Sequence, residues 1–502
     1  MPADIQLEKV NHAYLQVRCE DRGILRELSE FFTFYVPGYQ HMPAYKNRIW
    51  DGKIRLLCNR TNKIYSGLYD YIYAFANAEG RDYEIQEVWN PAYGNPKSFE
   101  SVDLSYVKGL PITASGKSIE PKEYQFKAVQ HGLENKQSLL LSPTASGKSL
   151  IIYLICRHYL KNRNGKILII VPTTSLVEQL ASDFADYAFN DSTFDAEQSI
   201  HKIYGGKEKI AGARIVISTW QSIYKLNQDW FSSFGCVIGD EAHNFKAKSL
   251  TSILTKCTEA EYRFGTTGTL DGALTHELVL QGLFGPVKRV TTTKHLMDSG
   301  SLAKLKINVL LLKYPDDICK ALKKSKYHEE LDYIVTNENR NKFIRNLALD
   351  QKGNTLVLFQ FVEKHGKPLH DLIRSKAKDD RHVFYVSGET SVDAREQVRK
   401  ITEKEKDAII VASIGTFSTG INIRNIHNII FASPSKSQIR VLQSIGRGLR
   451  LSDDGSDTVL FDIADDLHHG KYKNYTLQHS GERIKIYSQE KFNFNIYEIP
   501  LK

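Results

Sequence analysis

The stretch LLLSPTASGKSLIIYLI at residues 139–155 decides the fold of this chain. It begins with three leucines, passes through a loop of small and polar residues, and ends in an apolar run of helical length. A buried strand followed by such a loop and a helix is typical of a phosphate-binding loop, because backbone N–H groups converge at the helix N-terminus. The stretch predicts an α/β nucleotide-binding domain with its phosphate site at residues 142–149.

The hexamer Thr-Ala-Ser-Gly-Lys-Ser occurs twice, at residues 113–118 and again at residues 144–149. Pro111 precedes the earlier copy, and residues 119–121, Ile-Glu-Pro, follow it. Proline stops a helix from propagating, so the earlier copy lacks the helix that a phosphate site needs. We predict that only the second copy binds phosphate and that Lys117 is a linker lysine.

The second copy has the residues expected to bind ATP and Mg²⁺. Lys148 is expected to neutralise the β- and γ-phosphates, and Ser149 to hold Mg²⁺ through its hydroxyl. Ser142 stands where the strict pattern has its first glycine. The other residues of the cradle are Pro143, Thr144, Ala145, Ser146 and Gly147.

An acidic sequence, Asp-Glu-Ala-His at residues 240–243, follows the apolar pair Val-Ile at 237–238, about ninety residues after the loop. Parallel sheets bind ligands beyond the carboxyl ends of their strands. We therefore expect Asp240 to support Mg²⁺ and Glu241 to orient and polarise the attacking water. His243 is expected beneath the γ-phosphate.

The fold class follows from short apolar runs that alternate with helical patterns. Strands separated by helices favour parallel sheets covered on both faces. The runs lie at 138–141, 166–171, 214–217, 236–239 and 262–265, and again at 355–359, 382–386, 408–412, 426–431 and 458–461. We predict two α/β lobes with parallel sheets behind a small α+β N-terminal domain, with a lysine-rich segment at 304–326 between the lobes. The expected domains are 1–112, 113–300 and 301–502, the last with a C-terminal extension.

Composition excludes several classes of protein. The chain has 502 residues, 41% hydrophobic and 25% charged, which is an ordinary globular balance. No apolar run approaches the roughly 18 residues of a membrane-spanning helix. The six cysteines form no Cys-x-x-Cys pair, so neither a zinc site nor a disulfide framework is expected. We expect a cytoplasmic protein.

The net charge of +9 is mild, but its distribution is uneven. Residues 41–63 carry six basic side chains against one acidic, a net of +5, with aromatic residues among them. This pattern suits phosphate contact combined with base stacking, and it predicts a DNA contact. The alternative is a solvated hairpin whose aromatic rings face a core. The candidate DNA contacts are Lys46, Arg48, Trp50, Lys53 and Arg55.

The ordered motifs resemble those of the superfamily-two helicases, in which two RecA-like lobes close on ATP. The resemblance covers roughly residues 119–462, and residues 240–243 resemble its DEAH box. The other matching segments are Glu123-Tyr124-Gln125, Pro172-Thr173-Thr174, Ser218-Thr219-Trp220-Gln221, Thr267-Gly268-Thr269, Ser418-Thr419-Gly420-Ile421-Asn422 and Gln443-Ser444-Ile445-Gly446-Arg447-Gly448-Leu449-Arg450.

The resemblance implies further site residues. Those implied at the nucleotide are Tyr124, Gln125 and Gly420. Those implied at the nucleic-acid strand are Thr173, Trp220 and Thr419, each of which also suits a helix cap or a core position.

Two arginines of the last segment are implied to act in catalysis. Arg447 and Arg450 are three residues apart on a predicted helix, so both project from one face. As arginine fingers they would stabilise the transition state when the lobes close, an effect of about 10³–10⁵ in rate. The alternative is a pair of surface ion pairs.

Residues 45–57, centred on WDGKIRLL at 50–57, resemble the opening domain of a phage recombination and fork-remodelling helicase. The resemblance implies ATP-driven branch migration, fork regression and unwinding of D-loops or R-loops, in recombination, repair and replication. The expected partner is branched or forked DNA. Further candidates are RNA in R-loops and single-strand-binding or recombination proteins. We expect a monomer, in the host cytoplasm if a phage encodes it.

Two other functions stay open. An RNA helicase would use the same core, because RecA-like lobes track a sugar–phosphate backbone. A nucleic-acid clamp would use ATP as a conformational switch without unwinding. The motor subunit of a restriction enzyme is a less favoured interpretation, since we find no set of nuclease active-site residues in the sequence.

Overall fold

The computed structural model describes residues 3–209, 212–270, 273–420, 423, 425–434, 445–446 and 457–501. The chain divides into two compact units. Residues 1–142 and 147–290 form the first unit, and residues 143–146 and 291–502 form the second.

The N-terminal region of the first unit is a small α+β arrangement, as predicted. Its strands are β1 (Ile5–Lys9), β2 (Tyr14–Arg18), β3 (Thr33–Tyr35), β4 (Lys53–Arg55), β5 (Lys63–Tyr65) and β6 (Ile85–Val88). Its helices are α1 (Arg22–Phe31), α2 (Pro43–Lys46), α3 (Tyr69–Ala76) and α4 (Ser105–Lys108). One sheet has the order β5-β2-β1-β6, and β3 pairs with β4 as a separate antiparallel ribbon. Alternate residues of β1, including Ile5 and Leu7, are buried in the core, the pattern of a strand with one covered face.

The next part of the first unit is a parallel α/β lobe. Its strands are β7 (Thr113–Ala114), β8 (Lys117–Ser118), β9 (Gln137–Leu141), β10 (Lys166–Val171), β11 (Ile200–Ile203), β12 (Ile215–Thr219), β13 (Phe234–Asp240), β14 (Tyr262–Thr267) and β15 (Val287–Arg289). Its helices are α5 (Glu123–Asn135), α6 (Lys148–Asn162), α7 (Thr174–Tyr187), α8 (Ala196–Ser199), α9 (Trp220–Ile223), α10 (Gln228–Phe231), α11 (Lys248–Lys256) and α12 (Leu274–Phe284). The sheet has seven parallel strands in the order β11-β12-β10-β13-β14-β9-β15. Residues 167–171 of β10 are all buried because both faces of the sheet are covered.

The N-terminal region packs directly on this lobe. Gly67 lies so close to the carbonyl of Gln281 in α12 that a Cβ would overlap it. The hydroxyl of Tyr71 and the side-chain amide of the same Gln281 are 3.1 Å apart, and Tyr93 donates to Glu259 at 3.0 Å. The two regions therefore belong to one compact unit. The three-domain division at residues 112 and 300 stays a prediction.

The second unit is a second parallel α/β lobe. Its strands are β16 (Leu305–Lys313), β17 (Thr355–Phe359), β18 (Val383–Val386), β19 (Ile409–Ser413), β20 (Asn428–Phe431), β21 (Thr458–Asp466) and β22 (Phe494–Pro500). Its helices are α13 (Thr293–Asp298), α14 (Asp316–Leu322), α15 (Tyr327–Thr336), α16 (Glu338–Asp350), α17 (Lys367–Arg374), α18 (Val392–Lys404), α19 (Ile414–Gly420) and α20 (Tyr475–Gln489). The sheet order is β18-β19-β17-β20-β21-β16-β22, with every pair parallel. The two-lobe prediction is confirmed.

One segment differs from the sequence-based expectation. Residues 304–326, interpreted as a lysine-rich segment between the lobes, contain β16, which lies inside the second sheet between β21 and β22. Lysines alternate with apolar residues at its start, and Ile307 and Val309 are buried while Lys306 is exposed. The high lysine content obscured the strand in the sequence, although its apolar residues are buried in the core.

The two copies of the repeated hexamer adopt different structures. The first forms the hairpin β7–β8, whose two turn residues, Ser115 and Gly116, have φ of 52° and 73°. Positive φ at both positions is the signature of a type I′ turn. The second copy follows β9 and runs into α6, as predicted. The flanking residues, rather than the hexamer, decide the local fold.

The described residues contain no group of three or more His, Cys, Asp or Glu side chains arranged to hold a metal ion. All six cysteines are free thiols. Within the same residues, no helix combines the length and the apolar character that crossing a bilayer requires.

Candidate nucleotide site and DNA interface

The phosphate loop joins β9 to α6 and has two residues with left-handed backbone. Ala145 has φ of 65° and Gly147 has φ of 81°. The hydroxyl of Ser146 donates to the carbonyl of Pro143 at 2.6 Å, which closes a tight turn. Helix α6 begins at Lys148, so its first backbone N–H groups point out of the loop toward an incoming anion.

Lys148 folds back over the mouth of this loop. Its Nζ donates to the carbonyl of Ser142 at 3.4 Å, a long bond that a phosphate oxygen can replace. Burial raises the pKa of Asp240, and the charge of Lys148 opposes that rise. A cation at the start of a helix and beside a strand-end carboxylate can bind the terminal phosphates of ATP.

Gln125, in the first turn of α5, lies against the loop. Its Oε1 accepts a hydrogen bond from the backbone N–H of Lys122 at 2.7 Å, which fixes the start of the helix. A Cβ at position 147 would overlap the side-chain amide of Gln125, so glycine is required there for space as well as for φ. Burial raises the pKa of the neighbouring Tyr124. The structure brings Gln125 to the loop, and adenine recognition by Tyr124 and Gln125 stays a prediction.

Asp240 is the last residue of β13 and is held by two donors. Its Oδ1 accepts from Oγ1 of Thr266 at 2.7 Å and from the backbone N–H of Glu241 at 2.9 Å. Burial raises the pKa of this carboxyl, and the charge of Glu241 adds to the rise. A bound cation would reverse that shift, because it stabilises the ionised form.

Glu241 has the features of a strained functional residue. Its φ and ψ are both 50°, a left-handed conformation that costs a non-glycine residue about 1–3 kcal/mol. Its Oε2 is buried, lies 3.4 Å from Nδ1 of His243, and receives no hydrogen bond from any described residue. A buried carboxylate oxygen of this kind can accept a hydrogen bond from a water molecule.

His243 links the acidic sequence to the next strand. Its Nδ1 lies 3.0 Å from Oγ1 of Thr267, and that hydroxyl donates to the carbonyl of Thr269 at 3.0 Å. Because the threonine proton is used there, Nδ1 must be the donor in the first bond, which fixes the tautomer. The acidic sequence is thereby connected to residues 267–269.

Ser149 has a partner that the sequence did not reveal. Its Oγ lies 2.8 Å from the phenolic oxygen of Tyr187, the last residue of α7. Burial raises the pKa of Tyr187 to about 12, so the phenol is neutral at pH 7 and can both donate and accept. The helical pattern of residues 174–187 contains no signal for this contact.

The donor set fits Mg²⁺. Ser149 and Asp240 supply a hydroxyl and a carboxylate, the oxygen ligands that this ion prefers. Mg²⁺ keeps several waters and binds phosphate oxygens, so two protein ligands suffice.

The predicted residues of the second lobe are only partly described. Arg447 and Arg450 lie outside the described residues. Thr419 and Gly420 are the last two residues of α19, and nothing is described of the Thr419 side chain.

Two predicted strand contacts of the first lobe have structural roles. Thr173 caps α7, with Oγ1 accepting from the backbone N–H of Leu176 at 3.3 Å. Trp220 begins α9 and packs edge-on against Tyr224 at 5.8 Å. Their contacts with nucleic acid stay predictions.

The basic aromatic stretch, residues 41–63, runs from the segment between β3 and β4 through β4 to the start of β5. Trp50 is half-buried and donates from Nε1 to the carbonyl of Lys53 at 2.8 Å. Arg55 forms an ion pair with Asp51 and lowers the pKa of that carboxyl. Lys53 Nζ sits 4.9 Å from the centre of the Tyr35 ring.

The two remaining basic candidates have no such partners. Lys46 and Arg48 form no ion pair with any described residue, and both are exposed. Of the predicted DNA contacts, these two are the most available for a phosphate.

Comparisons with known proteins agree with this geometry. The matching family models include the N-terminal domain of DNA helicase UvsW at residues 4–87, the res subunit of type III restriction enzymes at 118–272, and the helicase conserved C-terminal domain at 338–452. The ATP-dependent DNA helicase uvsW of Enterobacteria phage T4 is 37% identical over 510 residues, covering 98% of each chain. The crystal structure of T4 UvsW covers 99% of this chain and 100% of its own at 34% identity, with a TM-score of 0.51. The DNA 3'-5' translocase XPB2 of Sulfurisphaera tokodaii is 24% identical and covers 70% of this chain and 83% of its own.

Two parallel seven-stranded sheets, one of them with a phosphate loop and an acidic strand end, define a superfamily-two helicase with RecA-like lobes. Its N-terminal domain has a mixed four-stranded sheet and matches the model of the UvsW N-terminal domain. The chain belongs to the UvsW family of ATP-dependent DNA helicases.

Proposed function

We propose that this helicase remodels branched DNA by fork regression, branch migration and the unwinding of D-loops and R-loops. It would act in recombination, repair and replication. The proposal is supported above all by one observation: the N-terminal domain places a basic, aromatic segment on the same compact unit as the ATP-binding lobe. RecA-like lobes grip backbone without regard to branching, so a preference for junctions needs a surface outside them.

The chemistry rests on charge. Lys148 and the N-terminus of α6 hold the terminal phosphates, and Ser149 and Asp240 would ligate Mg²⁺, which supplies further positive charge there. Glu241 orients the attacking water through its buried carboxylate oxygen.

Arg447 and Arg450 stabilise the charge that develops on the transferred phosphoryl group, which ties hydrolysis to closure of the lobes. Gly420 lies at the nucleotide in this scheme. We also propose contacts with adenine by Tyr124 and Gln125.

The DNA interface has two parts. The DNA strand that runs along the lobes contacts Thr173, Trp220 and Thr419. The branch point contacts the N-terminal domain at Lys46, Arg48, Trp50, Lys53 and Arg55. The protein acts as a monomer on branched DNA, with RNA in R-loops and single-strand-binding or recombination proteins as further partners. Its T4 relative is a phage protein, so we place its action in the host cytoplasm.

A substrate panel tests the proposal. ATP hydrolysis and strand displacement are measured on forks, four-way junctions, D-loops, R-loops and linear duplexes of one sequence, and on the matching RNA duplex. We expect faster hydrolysis and ATP-dependent displacement on the branched DNA. Preference for the RNA duplex, or ATP-dependent binding without displacement on every substrate, would contradict the proposal. Lys148→Ala serves as the control without hydrolysis.

A further inference from the structure

The segment between β3 and β4, residues 36–52, ends in an apolar tip. Ile49 is 78% exposed, the highest value of any large hydrophobic side chain among the described residues. Most of the apolar surface of this isoleucine therefore stays in water, where burial against a partner would stabilise it. The sequence drew attention to Trp50, but Trp50 is half-buried and its indole N–H donates to the carbonyl of Lys53, whereas its neighbour Ile49 is exposed.

The tip is held in place by its own backbone. The N–H groups of Ile49 and Trp50 both donate to the carbonyl of Ala44, at 2.9 and 3.2 Å. Arg48, just before the tip, has a left-handed φ of 56°. These two bonds and the left-handed residue define a tight turn that carries Ile49 on its exposed side.

Aromatic rings at the start of the same segment pack against one another. The Tyr39 ring stacks on Tyr35 and meets Tyr45 edge-on, both at 4.7 Å between centres. Gly52, with φ of 79°, lies against the Tyr39 ring so closely that a Cβ would overlap it. These ring contacts, together with the backbone bonds to Ala44, give the segment a defined conformation.

Two basic side chains, Lys46 and Arg48, lie beside Ile49 and are called the basic collar here. One open concavity of about 650 Å³ is lined by Lys46, Arg48 and Ile49, together with Gln40, Tyr45, Trp50 and Asp51. The acidic group of the segment, Asp51, is engaged by Arg55, so its charge does not offset the collar. An apolar side chain beside two cations fits a partner whose phosphates flank an apolar interior, as they flank the stacked bases of a nucleic acid.

We propose that Ile49 is a wedge that inserts between bases at the branch point of a DNA junction, while Lys46 and Arg48 bind the flanking phosphates. The inference rests on the proposed function, the remodelling of branched DNA. Isoleucine is among the side chains that open base steps by partial intercalation. Opening is easiest where stacking is already interrupted, so the wedge favours a branch point over a continuous duplex.

The test uses the full-length protein and junctions with the fluorescent base 2-aminopurine. The probe is placed at the branch point in one junction and within an arm in another, without ATP and at saturating protein. Wild type should raise the fluorescence at the branch point and not in the arm. Ile49→Ala should lose most of the rise, and Ile49→Leu should retain it. Junction unwinding by Ile49→Ala should slow about tenfold, equivalent to about 1.4 kcal/mol.

Controls separate the wedge from the collar. Lys46→Ala with Arg48→Ala should lower the salt slope of junction affinity by about 1.8, since each phosphate contact contributes about 0.9, yet retain the rise at saturation. Phe189→Ala removes an equally exposed ring, 76% accessible, from the first lobe and should change nothing. Melting curves verify that each variant is folded.

Three outcomes would overturn the wedge. These are an equal fluorescence rise in wild type and Ile49→Ala, no rise at the branch point in wild type, and an equal rise at the branch point and in the arm. If wild type unwinds junctions normally in any of these cases, the wedge alone fails. If wild type does not remodel junctions at all, the proposed function fails.

Discussion

Ser149 and Tyr187 share a hydrogen bond, with the serine Oγ 2.8 Å from the phenolic oxygen. Thirty-eight residues separate them along the chain, and the C-terminus of α7 brings the phenol to the start of α6. By accepting the serine proton, the phenol would direct a lone pair of Ser149 toward Mg²⁺.

Asp186, next to Tyr187, contacts the hairpin that carries the first hexamer. Its Oδ2 accepts a hydrogen bond from the backbone N–H of Ser115 at 2.7 Å.

Tyr187→Phe should therefore weaken Mg²⁺-dependent nucleotide binding. Loss of one hydrogen bond of about 0.5–1.5 kcal/mol corresponds to a change of about two- to twelvefold in affinity. The measurement is ADP affinity as a function of Mg²⁺ concentration. Tyr153→Phe is the matched control, because Tyr153 lies on α6, the helix that carries Ser149, and its hydroxyl accepts from Arg157 instead. Identical Mg²⁺ dependence in Tyr187→Phe and wild type would refute this role.

The duplicated hexamer offers a comparison of two lysines in identical local sequence. Lys148→Ala should abolish ATP hydrolysis, because the variant loses the cation at the start of α6. Lys117→Ala should leave hydrolysis nearly intact, since Lys117 is exposed in a hairpin. Steady-state ATPase assays on both variants decide it, and comparable losses would show that the hairpin also serves the nucleotide.

Glu241→Gln should separate binding from turnover. The phosphate loop and Asp240 remain, so nucleotide affinity should stay close to that of wild type. Single-turnover hydrolysis should fall by about 10²–10⁴-fold, the usual contribution of a positioned general base. Near-normal hydrolysis at normal affinity would assign Glu241 to structure alone.

Arg447→Ala and Arg450→Ala test the closure of the lobes. Each variant should keep the ATP affinity of wild type, because the first lobe supplies the loop and the acidic strand end. DNA-stimulated hydrolysis should fall by about 10³-fold or more. Normal basal and stimulated rates would favour the alternative, in which the two arginines form surface ion pairs.

His365 in the second lobe predicts a pH dependence of stability. Its Nδ1 lies 3.0 Å from Oγ of Ser433, and burial lowers its pKa from 6.5 to about 3, with the charge of Arg340 adding to the effect. The unfolded chain therefore binds the proton more readily. The stabilising contribution is complete above pH 6.5 and is lost as the pH falls from 6.5 toward 3, by about 1.4 kcal/mol per pH unit.

Urea unfolding at pH 7 and pH 5 measures that loss. His365→Gln removes the titration and should reduce the difference between the two pH values. His328→Gln, at an exposed position, should leave the difference as in wild type. An unchanged difference in folded His365→Gln would show that other groups carry the acid sensitivity.

The sequence predicted what depends on neighbours along the chain. Pro111 and Pro121 distinguished the hairpin from the phosphate loop, and apolar runs located strands such as β13, which ends at Asp240. Contacts between side chains and backbone groups that only the fold brings together could not be predicted from the sequence. Trp50 is half-buried and bonded to the carbonyl of Lys53, so the most exposed apolar residue of this segment is Ile49 and not the aromatic one. The pairing of Asp51 with Arg55 likewise makes Lys46 and Arg48 the better phosphate contacts.

The central claim is that ATP hydrolysis drives movement of a DNA branch, and a mobile four-way junction tests it most directly. Donor and acceptor dyes on opposite arms report branch migration in real time, with wild type and Glu241→Gln compared at equal bound fractions. We predict rapid separation of the dyes by wild type with ATP and Mg²⁺, and none by Glu241→Gln or without nucleotide. Equal rates for the two proteins, or no migration by wild type while ATP is hydrolysed, would contradict the account.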